Sequence, residues 1–200
     1  GMCDLDAIRT VRSRGIFMEH AAPEGSGAMS AVLGMDAAVI EDVLNGREGV
    51  SIANYNCPGQ IVITGEAAAV AEAGTALKEA GARRVLPLKV SGPFHSPMMR
   101  PAGEELAKVF AGISMNPLKI PYVANINAEV ITDCGRIEGL LVDQVSGSVR
   151  WQQSVETMIR EGVDTFVEIG PGKTLTGFLR KIDKNVKAYH IGSWEEAVQV

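Results

Sequence analysis

Asn54-Tyr55-Asn56-Cys57-Pro58-Gly59-Gln60-Ile61-Val62-Ile63-Thr64-Gly65 holds two extended stretches around a tight turn. Pro58 presets the first central position of that turn, and Gly59 supplies the backbone freedom needed at the second. Apolar and β-branched residues flank it, so Val50 to Tyr55 and Gln60 to Thr64 read as paired strands. Upstream, Ala28 to Leu33 reads as a strand and Asp36 to Asn45 as a short helix ended by Gly46. Downstream, Glu66 to Ala80 sets Val70, Ala73 and Leu77 on one helical face and stops at Gly81. Arg84 to Leu88 follows as a closing strand.

That β-α-β-β-α-β order is the split βαβ, ferredoxin-like arrangement, and it marks residues 28–88 as a small lobe. The flanking segments, 1–27 and 89–200, read as one larger α/β lobe. Asp4 to His20 is a helix with Leu5, Ile8 and Val11 on a stripe, Asp4 as its cap and arginines late, which suits the helix dipole. Ala102, Leu106, Val109 and Phe110 mark another helix. Ile120 to Ile126 reads as a strand, Ile137 to Val145 and Gln152 to Glu161 as helices. Val163 to Ile169 is a strand that runs into Gly170-Pro171-Gly172, with a helix from Thr174. Alternation of this kind predicts a parallel sheet covered by helices.

Composition narrows the function. The 200 residues are 46% hydrophobic and 22% charged, as in an ordinary globular chain, and the net charge is −5. An acidic chain with 5% aromatic residues suits neither phosphate neutralisation nor base stacking. The three cysteines (Cys3, Cys57, Cys134) form no CxxC pair and no metal-ligand spacing, so reduced thiols and no metal are expected; separately, no cofactor is expected. The first residues lack the regions of a signal peptide, and no apolar run is long enough to span a bilayer; a cytoplasmic location is expected.

Among the chemistry-bearing residues, His95 stands out in Ser91-Gly92-Pro93-Phe94-His95-Ser96-Pro97-Met98-Met99. A histidine between two prolines sits in a rigid turn, where it serves as a general base or as a loop residue bonded to neighbouring backbone. Gly170-Pro171-Gly172-Lys173-Thr174 is not a phosphate-binding P-loop, because Val167 stands where the pattern needs glycine. An anion could still approach that helix N-terminus. Arg14, at the end of the first helix, is either a solvated cation or a fork for a carboxylate. Cys57 has no base beside it and reads as filler; His20 and His190 fall in no catalytic spacing.

Six stretches in order resemble one family. They are Val11 to Met18, Pro23 to Met29, Asn54 to Gly65, Gly92 to Met99, Gln144 to Trp151, and Glu168 to Lys173. Together they are similar to the malonyl-CoA:acyl carrier protein transacylases and the related acyltransferase domains of polyketide synthases. The resemblance implies a partial α/β-hydrolase-like large subdomain with a ferredoxin-like small one. It implies transfer of malonyl from CoA, through a serine ester, to the phosphopantetheine thiol of acyl carrier protein. It implies His95 as the base, Gln144 orienting that imidazole through its backbone carbonyl, and Arg14 pairing with the malonyl carboxylate. Phe94 resembles the malonyl-selective form of the loop, where a bulky ring leaves little room for an α-methyl branch.

One departure is large. The family's Gly-His-Ser-x-Gly elbow is absent from these residues. Ser51 and Ser114 each lack the second glycine of such an elbow, so neither is a credible nucleophile. The chain therefore reads as the C-terminal two-thirds of a transacylase, inactive by itself. The alternatives are a non-catalytic module that binds carrier protein or CoA, and a structural fragment. Open apolar faces on the large lobe would then favour self-association.

Overall fold

The computed structural model describes residues 1–198. Its most regular part begins with β1 (Gly27–Leu33), α2 (Ala37–Leu44) and β2 (Val50–Cys57), after a first helix α1 (Asp4–His20). It continues through β3 (Gln60–Glu66), α3 (Ala67–Glu79) and β4 (Arg84–Pro87). The four strands form one antiparallel sheet in the order β2-β3-β1-β4, with Cys57 paired to Gln60 across the Pro58-Gly59 turn. Gly59 has φ +73°, as the second central position of that turn requires.

Both faces of this sheet are covered, which is why β3 runs Ile61-Val62-Ile63 without polar alternation. Val32, Ile40, Ile52, Ile61, Ile63, Val70 and Leu77 form the core beneath α2 and α3. Met29, Ala31, Ala53 and Val62 form the opposite face, and Phe94 packs there. Burying each such aliphatic side chain stabilises the lobe by roughly 1.5–3 kcal/mol before entropy is counted.

A second core joins α1 to α4 (Arg100–Phe110) and α5 (Ile137–Ser146), through Met18, Met99, Ala102, Leu106, Phe110 and Val145. Gly103 lets α4 approach α5, since a Cβ there would lie 3.3 Å from the Val142 carbonyl oxygen. The cap of α1 is Cys3, not Asp4, which sits in the first turn. The stripe read from the sequence faces outward: Leu5, Ile8 and Val11 are 54%, 68% and 69% exposed, and the buried positions are Thr10 and Met18.

Two short sheets complete the chain. The strand expected over 120–126 shrinks to β5 (Tyr122–Val123), antiparallel to β6 (Val130–Ile131). Pro121 offers no amide to a ladder, and the chain turns back at Ala128, whose φ is +59°. After α6 (Trp151–Arg160), the strand β7 (Thr165–Ile169), helix α7 (Thr174–Ile182) and strand β8 (Lys187–Ile191) form a βαβ unit. Its two strands are parallel, and α8 (Trp194–Ala197) follows. No helix among the described residues is long and apolar enough to cross a membrane.

Candidate functional site

The loop from β4 to α4 is locked from both sides. Pro93 rests on Gly27 at the start of β1, where a Cβ would come within 2.4 Å of the proline ring. Ser96 is fully buried; its hydroxyl donates to the Pro93 carbonyl at 2.7 Å and accepts from the Met98 amide at 3.3 Å. Those bonds close the turn and start a 3₁₀ turn at Pro97–Met99. Between them His95 has φ +60°, left-handed backbone that costs a non-glycine residue about 1–2 kcal/mol. Such strain is held only where surrounding bonds over-determine it.

The strained backbone aims the imidazole at the end of α5. His95 Nδ1 lies 3.0 Å from the Gln144 carbonyl oxygen and 3.2 Å from that of Gly147. Both partners only accept, so Nδ1 carries the proton and the neutral ring has its lone pair on Nε2. Nε2 has no hydrogen-bond partner among the described residues. Burial pushes the imidazole below the ordinary histidine range. The Gln144 carbonyl opposes that shift, the charge of Arg14 adds to it, and the Gly147 carbonyl opposes it again. The ring is therefore neutral at pH 7 and able to accept a proton.

Gln144 acts twice here. Its backbone oxygen takes the His95 bond, while its side-chain Nε2 donates to Gly147 O at 2.9 Å and Ser148 O at 3.3 Å. Arg14 reaches the same region from the interior of α1, which continues through Gly15 to His20 instead of ending at Arg14; it is half-buried, its pKa lowered by burial. None of the ion pairs among the described residues involves it, so its fork is open to an anionic group. Phe94 touches both the Met29/Val62 cluster and the Met18/Met99 cluster, which sets its ring at the junction of the two packed regions beside His95. His95, Gln144, Arg14 and Phe94 thus converge.

Other candidates fall elsewhere. Cys57 is fully buried and its thiol is pushed up by burial, the state of an inert side chain. His20 is exposed at the end of α1. His190 lies on β8, with Nε2 2.9 Å from the Gly170 carbonyl oxygen. The helix N-terminus after Gly170-Pro171-Gly172-Lys173 is not available to an external anion. The Glu168 carboxylate accepts from the Leu175 amide at 3.1 Å, the Thr176 amide at 2.7 Å and the Thr176 hydroxyl at 2.6 Å. Ser51 lies within β2 and Ser114 follows α4; neither is bonded to His95. Among the described residues no cluster of His, Cys, Asp and Glu could hold a metal ion.

Gly147 and Ser148 escaped the sequence reading as site residues. Gly147 directly follows α5, so it reads as an ordinary helix stop. Its real constraint is tertiary: a Cβ there would lie 2.2 Å from Ile126 Cδ1.

Comparison with known proteins gives the family of the chain. The chain is 45% identical over 194 residues to the malonyl CoA-acyl carrier protein transacylase of Bacillus subtilis, covering 95% of this chain and 61% of that protein. It is 45% identical over 187 residues to the transacylase of the same name from Escherichia coli K12, covering 91% and 60%. Thus the chain spans about three-fifths of the length of these curated relatives. The crystal structure of acyl-carrier-protein-S-malonyltransferase from Bartonella henselae superposes with a TM-score of 0.94 at 40% identity, covering 100% of this chain and 65% of that one. A malonyl-transacylase solved in complex with a type II PKS acyl-carrier protein gives 0.91 at 39% identity, covering 100% and 66%. The family model described as acyl transferase domain matches residues 2–197. From α1 through the His95 turn to the last strand, then, the chain belongs to the acyl transferase domain family.

Proposed function

We propose that this chain carries the base, its orienting carbonyl and the carboxylate clamp of a transferase that moves malonyl from CoA to acyl carrier protein in the cytoplasm. The observation that carries this reading is the His95 imidazole held with Nδ1 on the Gln144 carbonyl, leaving Nε2 to take a proton. Arg14 supports a malonyl substrate, because a guanidinium fork matches a carboxylate that an unsubstituted acetyl group lacks. Phe94 fits the role of excluding an α-methyl branch. In this reading residues 28–88 are a ferredoxin-like lobe, and 1–27 with 89–200 are part of an α/β-hydrolase-like one.

The chemistry runs in two halves. A serine hydroxyl from outside these 200 residues gives its proton to His95 Nε2 as its oxygen attacks the thioester carbonyl. The thioester bond breaks, and the departing CoA sulfur takes that proton. The carrier-protein thiol then gives its proton to Nε2 and attacks the serine ester, and the serine oxygen recovers the proton. Acyl transfer by a positioned base of this kind gains about 10²–10⁴-fold from the proton transfer.

The test is to join this chain to the segment of the Bacillus subtilis relative that it does not match. Malonyl transfer to carrier protein is expected, with malonyl retained as a protein-bound ester by mass spectrometry. His95→Ala should lower the rate by about 10²–10⁴-fold. A folded fusion with an intact serine elbow that moves no malonyl group would contradict the proposal, and binding of carrier protein without an acyl-enzyme would favour a docking module.

A further inference from the structure

We infer that Ser148 is a positioning residue for His95, tying the Gly147 carbonyl, the second acceptor of the imidazole Nδ1 hydrogen bond beside that of Gln144, to the edge of the four-stranded sheet. The inference rests on the reading of His95 as the base. β2 is the outer strand of that sheet, so one side of its backbone has no strand partner. The register of β2 against β3 shifts between Ile52 and Asn54, which leaves Ala53 without a partner on β3. The segment after α5 docks there. The Tyr55 amide donates to the Val149 carbonyl at 2.9 Å, and the Val149 amide donates to the Ala53 carbonyl at 2.7 Å. Asn54 and Val149 form an isolated parallel bridge.

Ser148 supplies the side-chain member of this junction, its hydroxyl donating to the Ile52 carbonyl at 2.6 Å. The residue just before it, Gly147, offers the oxygen that lies 3.2 Å from His95 Nδ1 and also receives the Gln144 amide. A glycine has few intrinsic restraints, so the direction of its carbonyl is set by what holds the next residue. On one side that is the C-terminus of α5, where the Gly147 amide donates to Asp143 O at 2.9 Å. On the other it is Ser148 on β2. The small lobe thereby reaches the imidazole through one peptide unit.

The experiment uses the 200-residue chain with labelled histidine, following His95 by two-bond proton–nitrogen NMR across pH. The charged group acting on the ring from a neighbouring element, Arg14 on α1, is left intact. Ser148→Ala should weaken the second acceptor, giving a downward shift of the His95 titration and Nδ1 proton exchange roughly two- to tenfold faster. Ser148→Thr, which keeps the hydroxyl, should restore both. If Ser148→Ala does not fold, Ser148→Cys, with a weaker donor of similar size, should give the same change in smaller measure. A folded Ser148→Ala or Ser148→Cys with unaltered titration and exchange would overturn the inference, as would failure of threonine to rescue. If wild-type His95 instead carries its proton on Nε2, the reading of the base fails, independently of the variants.

Discussion

The four-stranded sheet and the β7–β8 pair are both built from apolar strands and covering helices, yet they bury those strands to opposite degrees. In the first, Val32, Ile61 and Ile63 are at most 1% exposed. In the second, Val167, Ile169 and Tyr189 are 46%, 79% and 52% exposed. An antiparallel sheet of four strands closes its core with hairpins and two local helices. A parallel sheet needs both faces covered, and the single helix α7 between its two strands cannot do that. The His95 turn rests between two buried cores, the four-stranded sheet through Gly27, Phe94 and Ser148 and the α1–α4–α5 core through Met99 and Phe94, and not on the exposed β7–β8 pair.

The sharpest way to break this contrast is to cut into the two cores separately. Leu77→Ala removes a fully buried side chain beneath the four-stranded sheet and should cost about 2–5 kcal/mol in urea unfolding. A loss below about 1 kcal/mol would mean that this core contributes little to stability. A smaller effect is expected at Glu168, which caps α7. Burial pushes its carboxyl up, but bonds from the Thr176 hydroxyl, the Thr176 amide and the Leu175 amide, with the charge of His190, leave it below its ordinary value. Its contribution is therefore whole above the unfolded carboxyl's range and lost as pH falls through the lowered folded value. Glu168→Gln should cost about 1 kcal/mol at neutral pH and flatten that acid-side slope in pH-dependent unfolding. The smallest effect belongs to Ile169→Ala, which should change stability by less than about 0.5 kcal/mol, because the side chain is mostly exposed. A larger loss in the same denaturation experiment would show that the β7–β8 face is covered in solution.

What was legible in the sequence follows the same division. The elements of residues 28–88 could be read to within a few positions because hairpin turns, helix stops and apolar periods are local signals. The strand expected at 120–126 shortened because Pro121 and the turn at Ala128 override β-branched composition. Asp4 falls one residue inside the helix, because the cap position is Cys3, whose side chain makes no capping bond. At the site, the two prolines marked His95 as a rigid-turn residue but left open whether it is a base or a loop residue bonded to backbone; its role as base, like those of Gln144, Arg14 and Phe94, came from resemblance. Gly147 and Ser148 were not legible, because their roles depend on Ile126 and on the edge of β2, distant in sequence and adjacent only in the fold.

The claim on which the account turns is the protonation geometry of His95, and nitrogen NMR of its imidazole reads that directly. The account predicts a neutral ring at pH 7 with its proton on Nδ1, titrating below the ordinary histidine range as burial requires. A proton on Nε2, or a ring that is already charged at neutral pH, would contradict it.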